Sequence, residues 1–259
     1  MAKALSDGAQ YLTFIDSDDT VAPTMLEKLL VGLIENDADI CYCGVNTVRG
    51  SEKTNRIHIT PKQFGVVTDK IAMFKSLTII PFWDYGLHGH SCGFMCRTKI
   101  LANTDWDLSN TVLFEDVTVH FQLLGEVSRA VYIPDLLYDY HQIESSLAHI
   151  SSKKEMLVYK EILWDKFLNY ISRRFPEMLP DLKPLCAYDL FLMYCSNLDL
   201  KSTYGDNNEF AEKCRAGILQ CMKIQGIRIY LKRTQKIRVW ILKHFGIRAF
   251  RFVKKLRCK

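Results

Sequence analysis

Apolar residues recur along the first half of the chain in short blocks separated by polar turns. Residues 11–15, Tyr-Leu-Thr-Phe-Ile, are rich in aromatic and β-branched types and read as a buried parallel strand. Met25, Leu26, Leu29, Leu30, Leu33 and Ile34 recur at helical spacing and predict a helix over 24–36. Thr24-Met-Leu-Glu27 fits a capping box just after Pro23, and Asn36-Asp37 ends the helix. Residues 38–45, Ala-Asp-Ile-Cys-Tyr-Cys-Gly-Val, read as the next strand. Strand, helix and strand in that order suggest a βαβ unit.

Further on, residues 46–48 and 56–60 pair as a hairpin around a polar 49–55 turn. Thr68-Asp69 opens a short helix ending at Leu77. Residues 93–96 read as a short strand, 97–101 as a helical turn, and 130–134 and 136–140 as two strands. Between them, a helix of about three turns follows Glu115-Asp116, with Val119, Leu123 and Leu124 on one side. From Ser152 the pattern is helix only, near 153–174, 178–199 and 208–224, punctuated by Pro176, Pro180 and the polar stretch from Tyr204. The tail from about 227 reads as two amphipathic helices broken at Gly246. Three regions result: an α/β part over 1–150, a helical part over 151–226 and a tail over 227–259.

Composition narrows the class. With 259 residues, 48% of them hydrophobic, the chain can bury one substantial core plus a helical appendage. No apolar run reaches the length of a membrane-spanning helix. Residues 1–8 lack the apolar stretch of a signal peptide. Nine cysteines, an odd number without regular spacing, point to a reduced cytoplasmic setting.

The net charge of +5 hides an asymmetry. Lys213 to Lys259 holds fifteen Lys or Arg and no acidic residue; the remainder holds nineteen basic and twenty-nine acidic residues, a net of −10. An acidic body with a basic tail implies an anionic partner for the tail.

Two acidic clusters are the candidate chemistry. Asp16, Asp18 and Asp19 crowd charge into four residues directly after the first strand. Like charges this close repel, and a divalent cation relieves the repulsion. In open α/β sheets, ligands bind beyond the carboxyl ends of strands. An ordinary turn that leads into a helix accounts for the same residues, since Asp and Ser are turn formers. Glu115-Asp116 lies at a helix start, where the macrodipole alone favours acidic residues.

In combination these segments resemble family 2 glycosyltransferases. The resemblance rests on Asp7-Gly-Ala-Gln-Tyr-Leu-Thr-Phe-Ile-Asp-Ser-Asp-Asp19, on Ala38-Asp-Ile-Cys-Tyr-Cys-Gly44, and on Phe114-Glu-Asp116 followed by Leu137-Tyr-Asp-Tyr140 with Ser145-Ser146. It covers roughly residues 4–150. It implies a GT-A (Rossmann-like) α/β core that binds a nucleotide-diphosphate sugar. Asp16 and Asp18 would match the family's D-x-D and hold Mg²⁺ or Mn²⁺, and Asp19 would orient the site or bind the ribose. Asp116 would be the general base toward an acceptor hydroxyl, with inversion at the sugar. Glu115 would support the base or bind acceptor.

The resemblance also implies an earlier strand and loop for the nucleobase, so the chain reads as a truncated GT-A core. Strand 11–15 would then have an open edge; either the sequence is a fragment, a split gene or a decayed enzyme, or a partner chain supplies the missing half. The alternative to an enzyme is a non-catalytic remnant or an accessory subunit that binds a membrane or a partner. A glycan or lipid-linked acceptor is expected. Where relatives carry a Trp or Asn and a Lys before the 97–101 turn, this chain has Ser-Cys-Gly-Phe-Met-Cys-Arg.

Trp83, Tyr85, His88 and His90 would line an acceptor pocket, or simply anchor a surface loop. His141 follows the Tyr-x-Tyr strand, where relatives place a basic residue near the diphosphate; a satisfied histidine is the plainer reading. Cys41-x-Cys43 and Cys92-x₃-Cys96 lack the spacing of common zinc sites and suit buried small hydrophobes. Ile237, Trp240, Ile241 and Phe245 share a helix face flanked by Lys236 and Lys243, with Phe250, Val253 and Leu256 continuing after Gly246. Such a face suits an anionic membrane surface. The expected location is therefore the cytoplasmic face of the membrane, bound peripherally. Packing on the body is the second reading of the tail, and no nucleic acid is expected.

Overall fold

Residues 6–57, 65–77, 92–101, 104, 114–142, 153–199 and 208–255 are described by a computed structural model. The chain divides into two compact units, 1–150 and 151–259.

The first unit is built on two long neighbouring strands, β3 (Ile40–Arg49) and β7 (Ala130–His141), which run parallel. The remaining strands are β1 (Tyr11–Thr13), β2 (Thr20–Val21), β4 (Glu52–Ile57), β5 (Gly65–Val67) and β6 (Phe94–Arg97). The sheet order is β1-β6-β3-β7-β2, with β4 on β3 and β5 on β7. Every pairing apart from β3–β7 is antiparallel. The helices are α1 (Met25–Glu35), α2 (Lys70–Lys75) and α3 (Glu115–Glu126).

Strand alternation assigns the two faces of this sheet. Cys41, Cys43, Val45, Met95 and Val131 form one apolar cluster with Met25, Leu29 and Leu33 of α1. Tyr42, Phe94 and Tyr132 alternate with them. The Tyr42 ring stacks on Tyr132 at 5.2 Å and lies 5.7 Å from that of His120 on α3. Helices on both faces of a mixed sheet make an α/β layered core. Burial on both sides explains why β3 is covered from Ile40 to Thr47. Leu26 and Ile34 of α1, predicted as part of its apolar face, are 50% and 58% exposed.

Several sequence expectations are corrected. β1 stops at Thr13, pairs antiparallel with β6 and is half-buried; Ile15 lies outside the strand and is 45% exposed. Among the described residues β6 is its one ladder partner, so its side chains are only partly covered. β6 also separates β1 from β3, so the first two long blocks do not form adjacent strands.

Thr24 does precede α1, but with φ −94° and ψ 3° its side chain makes no cap bond. The helix start is closed instead by Met25 N–H donating to Ala22 O at 2.9 Å. The hairpin turn is Gly50-Ser51, with Arg49 facing Glu52, because Gly50 adopts φ +57° and lets the chain reverse at once. The predicted pair of strands near Pro134 is one strand. Pro134 falls between the half of β7 that pairs β5 and the half that pairs β2, where the β3 register also shifts.

The second unit contains α4 (Lys153–Arg174), α5 (Leu179–Asp199), α6 (Asn208–Cys221) and α7 (Arg233–Lys255). α7 breaks at Gly246, whose φ is 77° and ψ −172°. Trp164, Phe167 and Ile171 of α4, Leu185 and Phe191 of α5, Ile218 of α6, and Leu242 and Phe250 of α7 are buried in it. A buried ion pair crosses this core: Lys160 Nζ lies 3.0 Å from the Asp189 carboxylate, which also accepts from Trp164 Nε1 at 2.7 Å. Among the described residues no helix is long and apolar enough to cross a membrane.

Candidate active site

β1 and β2 stand at opposite ends of the sheet order, yet only residues 14–19 join them. The acidic segment is therefore stretched across the sheet, and contacts along its length hold it there. At its start, the Phe14 ring meets the Phe94 ring of β6 at 6.0 Å, and Thr13 Oγ1 donates to Phe94 O at 2.6 Å. In its middle, the Asp16 N–H donates to Tyr138 Oη of β7 at 3.1 Å.

The Tyr138 hydroxyl in turn donates to the Asp19 carboxylate at 2.7 Å, and the second oxygen of Asp19 accepts from the His141 N–H at 2.8 Å. Asp19 N–H closes the turn onto Asp16 O at 3.1 Å. Burial pushes the Tyr138 hydroxyl well above its ordinary range, and the Asp19 carboxylate adds to this although the Asp16 N–H opposes it. The hydroxyl thus stays protonated as a donor. Asp19 faces inward and fixes the loop, whereas Asp16 and Asp18 are exposed.

Neighbouring groups brace the same spot. The His141 ring nitrogen Nε2 and Thr20 Oγ1 are 2.9 Å apart, so the histidine is satisfied by the strand that follows the acidic loop. The Asp139 carboxylate accepts from Asn46 Nδ2 at 2.7 Å and from Lys53 Nζ at 2.8 Å. Desolvation would raise its pKa, but Lys53 and Asn46 outweigh it and hold the carboxyl below the usual range.

The second acidic segment begins α3. Phe114, just before it, has φ 64° and ψ 23°, a left-handed conformation that costs a bulky residue about 1–3 kcal/mol. Strain of this kind collects at sites where a side chain must be aimed. Asp116 is half-buried, and one of its oxygens accepts from Val117 N–H at 2.8 Å. The Glu115 side chain lies outside the described residues.

His120, one turn after Asp116 on the same helix face, is buried, and its Nε2 lies 2.8 Å from Tyr42 Oη. Its ring meets the Phe94 ring edge-on at 5.2 Å. Phe94 therefore touches Phe14, two residues before Asp16, and His120, four residues after Asp116.

Asp16 and Asp18 are two exposed carboxylates, two residues apart on an anchored loop, and carboxylate oxygens are the donors a hard divalent cation takes. Among the described residues no group of three or more His, Cys, Asp or Glu side chains is gathered for a metal. The residues that would hold such an ion are these two.

The cysteines show no such character. Cys41, Cys43 and Cys96 are buried in the sheet, and burial pushes the Cys43 and Cys96 thiols up to about 12. Trp83, Tyr85, His88 and His90 lie outside the described residues, as do Ser145 and Ser146. Nothing in the sequence marks Phe94 or Phe114 for these roles. The Tyr-x-Tyr pattern marks Tyr138, but nothing in the sequence says where its hydroxyl points.

The layered α/β sheet of the first unit is consistent with a GT-A core. Residues 1–103 match the model of glycosyl transferase family 2. Two solved structures share the fold. One is S. aureus TarS 1–349 in complex with UDP-GlcNAc, with a TM-score of 0.58 and 12% identity over 95% of this chain and 67% of that one. The other is S. aureus TarS 1–349 itself, with a TM-score of 0.56 and 14% identity over 95% of this chain and 66% of that one. The chain thus spans about two thirds of each. No curated protein sequence matches it.

Proposed function

We propose that the chain transfers a sugar from a nucleotide-diphosphate donor to a hydroxyl of a glycan or lipid-linked acceptor, with inversion at the sugar carbon. The observation that carries this reading is the anchored acidic loop. Tyr138 and the His141 N–H occupy both oxygens of Asp19 and leave Asp16 and Asp18 exposed on the loop.

Asp16 and Asp18 would hold Mg²⁺ or Mn²⁺. Such an ion, when bound, offsets charge on the departing diphosphate. Asp19 keeps the loop in one geometry, so the two outer carboxylates need little reorganisation when the donor arrives. Asp116 takes the proton from the acceptor hydroxyl as it attacks the anomeric carbon. The bond to the diphosphate breaks on the opposite face of the sugar, which inverts the centre. Phe94 keeps the base-bearing helix and the donor loop in register through its contacts with His120 and Phe14.

TarS was crystallised with UDP-GlcNAc, so a uridine-diphosphate sugar heads the donor panel. The test is release of free nucleoside diphosphate from a panel of nucleotide sugars, with Mn²⁺ and with excess chelator. Chelator-sensitive release from at least one donor supports the reading. Release that is indifferent to chelator, or absent across the panel with Mn²⁺ present, contradicts it.

A further inference from the structure

The tail helix uses its charge in two ways. On one side, Val239 and Leu242 are buried in the helical unit. The Arg238 guanidinium pairs with Asp199 at the end of α5 and lies 3.9 Å from the centre of the Phe250 ring. Arg251 Nε donates to Leu198 O at 2.7 Å. These two cations sit at the carboxyl end of α5, where the macrodipole favours positive charge. This side is a structural seam, so part of the tail does pack on the body.

The other side is different. Ile237, Trp240 and Phe245 are 47%, 55% and 64% exposed. Their exposure is organised: the Trp240 ring lies 4.9 Å from His244 and meets Phe245 edge-on at 5.6 Å. Lys236 and Lys243 flank Trp240 on this face, and Arg233 and Arg248 are also exposed. No Asp or Glu occurs after Glu212 to offset them.

We propose that the Ile237–Trp240–Phe245 face is a docking surface for an anionic lipid bilayer. The helix would lie in the interface, its aromatic side chains among the acyl chains and its lysines at the headgroups. A bilayer fits better than a nucleic acid because apolar side chains hold the centre of the face and cations hold its margin. Ile237 also offers no ring on which a base could stack. The proposal does not depend on the transferase reading.

The test is flotation of the full chain with vesicles of phosphatidylglycerol and phosphatidylcholine, against vesicles of phosphatidylcholine alone. The wild type is expected to float with the anionic vesicles only. Lys236→Gln with Lys243→Gln removes two cations and is expected to weaken partitioning about thirtyfold. Trp240→Ser with Phe245→Ser is expected to abolish it; because both side chains are already exposed, circular dichroism should not change. Failure to float, equal binding to neutral vesicles, or flotation unaffected by either double variant overturns the proposal. So does salt-sensitive binding to duplex DNA without vesicle binding, or a dimer that the Trp240→Ser, Phe245→Ser pair dissolves without any lipid effect.

Discussion

The Tyr138 hydroxyl and the Asp19 carboxylate are joined at 2.7 Å, across 119 residues of chain. The tyrosine is fully buried, and its oxygen also accepts from the Asp16 N–H. A single side chain of β7 therefore sets the path of the acidic loop. Replacing Tyr138 with Phe keeps the ring in the core but removes both bonds. Leaving such partners unsatisfied costs about 1–3 kcal/mol. Donor affinity in the presence of Mn²⁺ is expected to fall about tenfold or more, because the loop is no longer held in its binding geometry. Calorimetry with a uridine diphosphate measures this. Unchanged affinity would mean that the loop does not need its anchor.

Asp116 is assigned a role in the chemistry and none in donor binding. Asp116→Asn is nearly isosteric and keeps an oxygen able to accept from the Val117 N–H. General-base catalysis contributes about 10²–10⁴-fold. Transfer to acceptor is expected to fall by that factor while the donor dissociation constant stays within about twofold, as only the acceptor's base is lost. A loss of donor affinity equal to the loss of rate would place Asp116 in the binding site instead.

Asp39 predicts the acid limb of stability. It is 7% exposed at the start of β3. Its carboxylate accepts from Ser128 N–H at 2.8 Å and Arg129 N–H at 3.2 Å, and pairs with Lys99 at 2.8 Å. Burial would raise its pKa, but Lys99 and the two N–H groups outweigh burial and hold it below the ordinary value. A carboxyl with a lower pKa in the folded state stabilises the protein above its unfolded value, near pH 4. That stability is lost as the pH falls further, toward the folded value. Urea midpoints should therefore drop below about pH 4 in the wild type and drop less steeply in Asp39→Asn. At pH 7 the variant should be less stable by about 1–3 kcal/mol. Parallel curves would show that Asp39 does not carry the acid sensitivity.

Gly217 on α6 lies against Tyr194 of α5. A Cβ there would stand 2.3 Å from the tyrosine ring. The ring has little freedom to retreat, because its hydroxyl donates to Glu161 at 2.5 Å and Glu161 also pairs with Lys213 at 2.7 Å. Alanine gains about 1 kcal/mol of helix propensity, but overpacking costs about 1–3 kcal/mol. A net loss on thermal denaturation is expected for Gly217→Ala. A stabilised variant would show that the helix pair has slack.

The long elements were legible in the sequence because periodicity carries them. The helix at 153–174 and the break at Gly246 follow from local pattern, whereas the β3–β4 hairpin was legible only as a hairpin, its tight Gly50-Ser51 turn and its register not. What escaped was non-local. The two-residue strand β2 exists only because β7 offers it an edge. β7 runs on past Pro134 because the proline sits where neither neighbour needs its N–H. Among three aspartates within four residues, nothing local says which one turns inward. Tyr138, far along the chain, decides it. The left-handed Phe114 has no glycine or asparagine to announce it.

The proposed transferase depends on the exposed pair Asp16 and Asp18 binding a donor diphosphate through a divalent cation. Titration calorimetry of UDP-GlcNAc or UDP into the chain, with Mn²⁺ and with chelator, tests it most directly when repeated on Asp18→Asn. Mn²⁺-dependent binding to the wild type is expected, with a loss of about tenfold or more in the variant and a thermal midpoint little changed because Asp18 is exposed. Binding that is equally strong without the metal, or untouched by Asp18→Asn, would contradict it.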